Sequence, residues 1–292
     1  MAASLPTPVP PDSSEGKLKI YFLPNLLTAG NLFCGFVALT KIVEADPSND
    51  QIFQLQIKLA LAFILAACIF DLFDGRVARM GGAESPFGRE FDSLADLISF
   101  GAAPAFLVHR IVLKDVFGEH AEIGWFIASL YLICGAFRLA RYNCLSALPE
   151  NKASKDFLGF PIPSAAALVA SLTLLMLWFD EHGWLGERFS VSKWRFILPT
   201  MLVFLSWMMV SEVRYPSFKS LDLRATRTFT KTLVAILFIG LILVLREKIL
   251  VFVLPVIFSA YLIYGFIRPH VSRRIRHEIE EEETDEEPAP PR

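Results

Sequence analysis

Residues 71–96 read DLFDGRVARMGGAESPFGREFDSLAD, and this stretch places four aspartates between two apolar runs. Asp71 and Asp74 close the first run, and their spacing of three residues puts both on one face of a helix. Asp92 and Asp96 open the second run, where a spacing of four does the same. Because the connection is short, we expect two antiparallel neighbouring helices whose carboxylates converge at one end.

Four carboxylates this close repel one another unless something neutralises them. Oxygen ligands suit Mg²⁺ or Mn²⁺, and two such ions held about 3.5–4 Å apart can clamp a transferring phosphoryl group. Ionisable side chains in an apolar segment also indicate a functional site. The alternative is that these are loop charges and that Asp92 caps the second helix, which would explain one or two aspartates but not four.

Working outward, the apolar residues fall in long runs, which predict an all-α fold, a polytopic membrane helix bundle of about eight transmembrane helices. A count of seven or six transmembrane helices is also possible, because the sixth and seventh apolar runs are short for a span. The runs are 23–42, 57–73, 94–113, 123–139, 157–179, 196–210, 230–245 and 249–267.

The composition agrees with a membrane protein. Hydrophobic residues make up 54% of the chain, its mean hydropathy is +0.47 and its net charge is −2. The charge gives no electrostatic basis for binding nucleic acid, and none is expected as a partner. The four cysteines form no CxxC pair, so we expect neither a disulfide nor a zinc site.

Basic residues set the expected orientation. With both termini in the cytoplasm, the inner segments hold 19 Lys and Arg against 9 outside, as the positive-inside rule requires. The site between the two Asp pairs then faces the cytoplasm, and we expect the cell inner membrane as its location. Residues 1–16 and the acidic tail 271–292 are expected to be disordered, which leaves 17–270 as the transmembrane domain.

The spacing Asp71-x2-Asp74-Gly75-x2-Ala78-Arg79-x8-Gly88-x3-Asp92-x3-Asp96 resembles the signature of the CDP-alcohol phosphatidyltransferases. The resemblance implies that the four aspartates ligate two divalent cations, Mg²⁺ or Mn²⁺, and that Asp96 is also the general base.

The same resemblance assigns residues to the CDP-lipid. Gly75, which lacks a Cβ, would let the nucleotide approach the backbone, and Arg79 and Ser85 would hold the CDP phosphates. An Arg at this end of a span is also common as a membrane anchor.

Two further segments, 24–35 and 159–166, resemble those of the serine-using branch of this family. The resemblance implies transfer of a phosphatidyl group from CDP-diacylglycerol to L-serine, with Asn25 and Thr28 among the CDP-lipid contacts. Asn31 and Gly35 in the first segment are equally typical of small-residue helix packing.

Arg138 and Arg141 end the fourth run on the same inner side, where an arginine could bind the serine carboxylate through two hydrogen bonds. Lipid phosphate binding and membrane anchoring are equally good interpretations. Membrane lipids are expected partners, and a homodimer is left open.

Two other functions compete with serine transfer. The same chemistry could use glycerol 3-phosphate or inositol as the acceptor. A cation transporter would also place carboxylates at helix ends, but the sequence holds no second copy of the Asp pattern, which disfavours paired repeats.

Overall fold

The computed structural model describes residues 22–80, 85–147, 156–184, 193–216, 251–265 and 267. These residues are helical apart from two strands of three residues each, which confirms the predicted fold class. In chain order the elements are α1 Phe22–Glu44, α2 Asp50–Met80, α3 Pro86–Val116, α4 Ala121–Ala147, β1 Asp156–Leu158, α5 Ile162–Glu181, α6 Ile197–Val210, β2 Arg214–Pro216 and α7 Val251–Gly265.

Five helices, α1 to α5, are long and apolar enough to cross a membrane, so the chain is an integral membrane protein. The prediction of eight spans is not confirmed. Helix α6 has 14 residues, or about 21 Å, and is too short to cross a hydrocarbon core of about 30 Å. The described part of α7, Val251–Gly265, is also shorter than a span, and the run 230–245 lies outside the described residues.

Helix α5 begins later than the apolar run predicts. The run starts at Phe157, but that residue belongs to β1, and Gly159 follows with a left-handed φ of 78°. Pro161 then has extended backbone, and the helix starts at Ile162. A proline just before or within the first turn is favoured, because its missing N–H would have no partner there.

Large apolar side chains cover much of the surface of the bundle, including Phe33 and Phe36 at 63% and 65% exposure. The interior is also mainly apolar, but it buries polar residues such as Thr28, Asn31 and Ser99. Exposed apolar side chains on spanning helices are what a lipid solvent requires.

Small residues bring the helices close together. A Cβ placed on Gly35 of α1 would collide with the side chain and backbone of Ser99 in α3, and one on Gly30 would come within 2.9 Å of the Phe70 ring of α2. Helix α1 therefore lies in close contact with both helices that carry the aspartates. The packing interpretation of Gly35 agrees with this contact.

Helix α3 contains π-helical turns at Leu97–Ala102 and His109–Leu113. The first precedes Pro104, which has no N–H to donate to the carbonyl of Phe100. The buried Tyr131 hydroxyl of α4 donates to that carbonyl instead, at 3.2 Å. The carbonyl that proline leaves without a donor is thereby satisfied by a neighbouring helix.

The end of the bundle opposite the aspartates has its own contacts between helices. Arg110 of α3 donates to the carbonyl of Ala45 just after α1, and Lys58 of α2 pairs with Glu181 of α5 at 2.5 Å. Trp178 and Trp184 cluster near that pair, as aromatic residues do at a membrane interface. Each of these two contacts joins a pair of helices away from the end that carries the aspartates.

Arg141, in the last turns of α4, fastens the C-terminal end of α6 to the bundle. Its guanidinium donates to the carbonyls of Met209, Val210 and Ser211 at the end of α6, and to that of Leu158 in β1, at 2.9–3.2 Å. The last carbonyls of a helix have no partner within the helix. One side chain therefore satisfies the end of α6 and ties it to both α4 and β1.

Replacing Arg141 with alanine should leave these carbonyls without their donor. We expect the free energy of unfolding to fall by about 1–3 kcal/mol, the cost of a buried acceptor left unsatisfied. The measurement is the melting temperature of the purified protein in detergent. Lys114→Ala, at an exposed position of the opposite end, is the control and should melt like the wild type. Equal melting of both variants would contradict this role.

Candidate functional site

Three of the predicted ligands meet where α2 ends and α3 begins. One carboxylate oxygen from each of Asp71, Asp74 and Asp92 lies within 4.8 Å of the others. Asp74 is buried, and the other two are partly buried. Asp96 lies one turn further along α3 and is itself buried. The predicted convergence of the two helix ends is therefore observed, with three aspartates in one tight group.

Ser85, rather than Asp92, caps α3. The Ser85 side chain accepts a hydrogen bond from the backbone N–H of Gly88 at 3.0 Å, and Pro86 is the first helical residue. These are the preferred residue types at both positions. Because Asp92 lies well inside the helix, capping does not explain its presence.

Helix α1 supplies a donor to each of two aspartates. The Thr28 hydroxyl donates to Oδ2 of Asp74 at 3.0 Å, and Nδ2 of Asn31 donates to Oδ1 of Asp96 at 3.0 Å. Thr28 and Asn31 are three residues apart and so lie on one face of α1. One helix face therefore orients a carboxylate of α2 and a carboxylate of α3.

Buried polar atoms without a hydrogen-bond partner also mark this site. Within the described ranges they include Oδ1 of Asp92 and Nδ2 of Asn25. A buried carboxylate oxygen that accepts no hydrogen bond, beside two other carboxylates, fits a bound cation. The all-oxygen donor set favours Mg²⁺ or Mn²⁺ over zinc.

The residues predicted to hold the CDP-lipid surround this group. A Cβ on Gly88 would come 3.2 Å from Oγ of Ser85 and 3.3 Å from Oδ1 of Asn25, so these residues lie side by side. Gly75 directly follows Asp74. The side chain of Arg79, in the last turn of α2, lies outside the described part of the structure.

The two arginines of α4 lie in different surroundings. Arg138 is buried, its guanidinium stands 5.7 Å from the ring centre of Tyr142, and it interacts electrostatically with Asp96 and Asp71. Arg141 instead makes the backbone contacts that fasten α6. Only Arg138 faces the carboxylates.

The sequence did not reveal the contact from Asn31 to Asp96. Small-residue packing explained Asn31 as well as Gly35, and nothing in α1 alone shows which carboxylate its face will meet. The one available signal was an amide three residues after Thr28, on the same helix face.

Comparison with known proteins gives a consistent result. The family model described as CDP-alcohol phosphatidyltransferase matches residues 21–210. A CDP-diacylglycerol–serine O-phosphatidyltransferase of Helicobacter pylori is 34% identical over 249 residues, which cover 85% of this chain and 91% of that protein. The enzyme of the same name from Bacillus subtilis is 31% identical over 202 residues, or 68% of this chain and 92% of that protein.

Divalent cations should stabilise the purified protein if the carboxylate group binds them. A ligand present at about 100 times its Kd stabilises by about 2.7 kcal/mol, so Mg²⁺ or Mn²⁺ should raise the melting temperature in detergent. Asp92→Asn should remove that rise. In EDTA the same variant should melt no lower than the wild type, because repulsion among the carboxylates is relieved.

The matched control is Glu44→Gln, which neutralises an exposed acidic residue at the end of α1 remote from the aspartates. It should keep the full stabilisation by metal. A melting temperature that does not respond to either cation in the wild type would contradict cation binding at this group.

Proposed function

The chain belongs to the CDP-alcohol phosphatidyltransferase family, and from this premise we propose that it transfers the phosphatidyl group of CDP-diacylglycerol to the hydroxyl of L-serine, giving phosphatidylserine and CMP. The observation that carries the chemistry is the convergence of Asp71, Asp74 and Asp92 where α2 ends and α3 begins. The acceptor is proposed from the names of relatives that match along most of their length.

The four aspartates would hold two divalent cations, Mg²⁺ or Mn²⁺. Asp71, Asp74 and Asp92 supply the group of oxygens already in place, and Asp96 adds a fourth carboxylate one turn along α3. When bound, the cations would neutralise the negative charge that builds up on the diphosphate during transfer.

The proposed reaction is a direct displacement. The serine hydroxyl oxygen forms a bond to the β-phosphorus of CDP-diacylglycerol, and the bond from that phosphorus to CMP breaks on the opposite side. Asp96 takes the hydroxyl proton as general base. The hydrogen bond from Asn31 occupies Oδ1 of Asp96, so Oδ2 is the oxygen that we assign to this proton.

The CDP-lipid is proposed to lie against α1 and the ends of α2 and α3. Its contacts would be Asn25, Thr28, Gly75, Arg79 and Ser85. The buried and unpartnered Nδ2 of Asn25 is a donor suited to a nucleotide oxygen. Thr28 would serve twice, since its hydroxyl already orients Asp74.

We assign the serine carboxylate to Arg138 rather than to Arg141. Both were candidates from the sequence, but Arg141 directs its guanidinium to four backbone carbonyls. Arg138 is buried beside Asp96, the proposed base, where a guanidinium can bind a carboxylate through two hydrogen bonds.

The acceptor can be tested directly. Purified protein with CDP-diacylglycerol and Mg²⁺ should release CMP when L-serine is supplied, and far more slowly with glycerol 3-phosphate or inositol. Asp74→Ala or EDTA should abolish release, because both remove cation binding. Arg138→Lys should raise the KM for serine, because lysine cannot form the paired contact.

Two outcomes would contradict the proposal. Faster CMP release with another acceptor would replace serine while keeping the chemistry. Exchange of labelled CMP into CDP-diacylglycerol in the absence of serine would replace direct displacement by a covalent enzyme intermediate.

We propose that the site faces the cytoplasm. Thiol labelling in intact cells tests this orientation. In a chain whose native cysteines are replaced, Glu90→Cys at the site end should resist an impermeant reagent, and Glu119→Cys at the opposite end should react. Both positions are exposed, so burial does not distinguish them. The reverse labelling pattern would overturn the orientation that the excess of inner basic residues predicts.

A further inference from the structure

Asn31 is the most completely buried polar residue at the site, with no exposed surface, and its amide nitrogen donates to Oδ1 of Asp96. Only the amide nitrogen can donate to a carboxylate, so the partner fixes the orientation of the amide. A buried polar residue in a membrane bundle costs free energy unless its contact serves a purpose.

The surroundings of Asn31 hold it rigidly. The Ser99 hydroxyl of α3 donates to the Asn31 backbone carbonyl at 2.9 Å, and Ser99 also lies in close contact with Gly35 one turn along α1. Ser99 thereby fixes the α1–α3 contact at the backbone of Asn31 and on its Gly35 side. An amide held this way can restrict the side-chain rotation of Asp96.

Asp96 differs from the other three aspartates in its contacts. One carboxylate oxygen from each of Asp71, Asp74 and Asp92 lies within 4.8 Å of the others. Asp96 is not part of this group of described residues. Repulsion from the group would favour rotation of Asp96 away from it. The hydrogen bond from Asn31 opposes such a rotation.

We propose that Asn31 is a positioning residue that holds the Asp96 carboxylate in the orientation needed to take the proton of the acceptor hydroxyl. The inference rests on the proposed function, since it assigns a partner to the base of that reaction. It separates two tasks of α1: Thr28 orients a carboxylate of the cation-binding group, and Asn31 orients the base.

The test compares three variants. Asn31→Leu keeps the branched arrangement of the side-chain heavy atoms and removes the amide donor to Asp96. Ser99→Ala removes a buried hydrogen bond from the same helix contact without touching a carboxylate. Thr28→Val removes the donor to Asp74. The measurements are kcat, the KM for each substrate, and the rise in melting temperature caused by Mg²⁺.

For Asn31→Leu we expect kcat to fall about 10- to 100-fold, the usual loss when a residue that orients a site ligand is removed. Both KM values should stay within about threefold, because binding in the ground state is unchanged. The stabilisation by Mg²⁺ should fall less in Asn31→Leu than in Thr28→Val, because Thr28 orients a member of the tight carboxylate group and Asp96 lies outside that group. Ser99→Ala leaves the Asn31 amide and its hydrogen bond to Asp96 in place, so its kcat should fall far less than that of Asn31→Leu.

A kcat of Asn31→Leu within about threefold of the wild type would overturn the inference. So would an equal loss in Ser99→Ala at an equal fall in melting temperature, since that result indicates packing alone. If Asn31→Leu does not fold, Asn31→Ser, whose hydroxyl is too short to reach Asp96, replaces it with the same expectations. A wild-type protein that releases no CMP with serine instead contradicts the proposed function itself.

Discussion

The repulsion among carboxylates brought together where α2 ends and α3 begins is the constraint on which the rest of the site depends. Nothing in an apolar bundle screens such charges, so each must be neutralised or held by hydrogen bonds. The donors Thr28 and Asn31 of α1 meet part of that need. Arg138 interacts electrostatically with Asp96 and Asp71, and the proposed cations would neutralise the remaining charge.

Helix α1 therefore has a larger role than its sequence indicates. It packs closely on both aspartate-bearing helices through Gly30 and Gly35, and Thr28 and Asn31, on either side of Gly30, meet the carboxylates. The closeness is a condition for the hydrogen bonds, because side chains as short as threonine and asparagine reach a neighbouring helix only across a narrow gap.

Much of this could be predicted from the sequence because the signals are local. The spacings of Asp71, Asp74, Asp92 and Asp96 fix helix faces, and the apolar runs fix five of the spans. The count of eight is not confirmed, because α6 fills nearly the whole predicted run 196–210 and is still too short for a span, and the run 230–245 lies outside the described residues. The partner of Asn31 depends on how two distant helices rotate against each other, which no local pattern encodes.

The π turns of α3 have a consequence for the rotational phase of that helix. Each takes about one residue more than an α turn, and one residue corresponds to a rotation of about 100°. Asp96 precedes the first π turn and meets α1, while Arg110 lies in the second and reaches Ala45 at the other end of α1. A plain α-helix of the same sequence would be out of phase at one of these contacts. The irregular turns let a single helix keep both ends in register with α1.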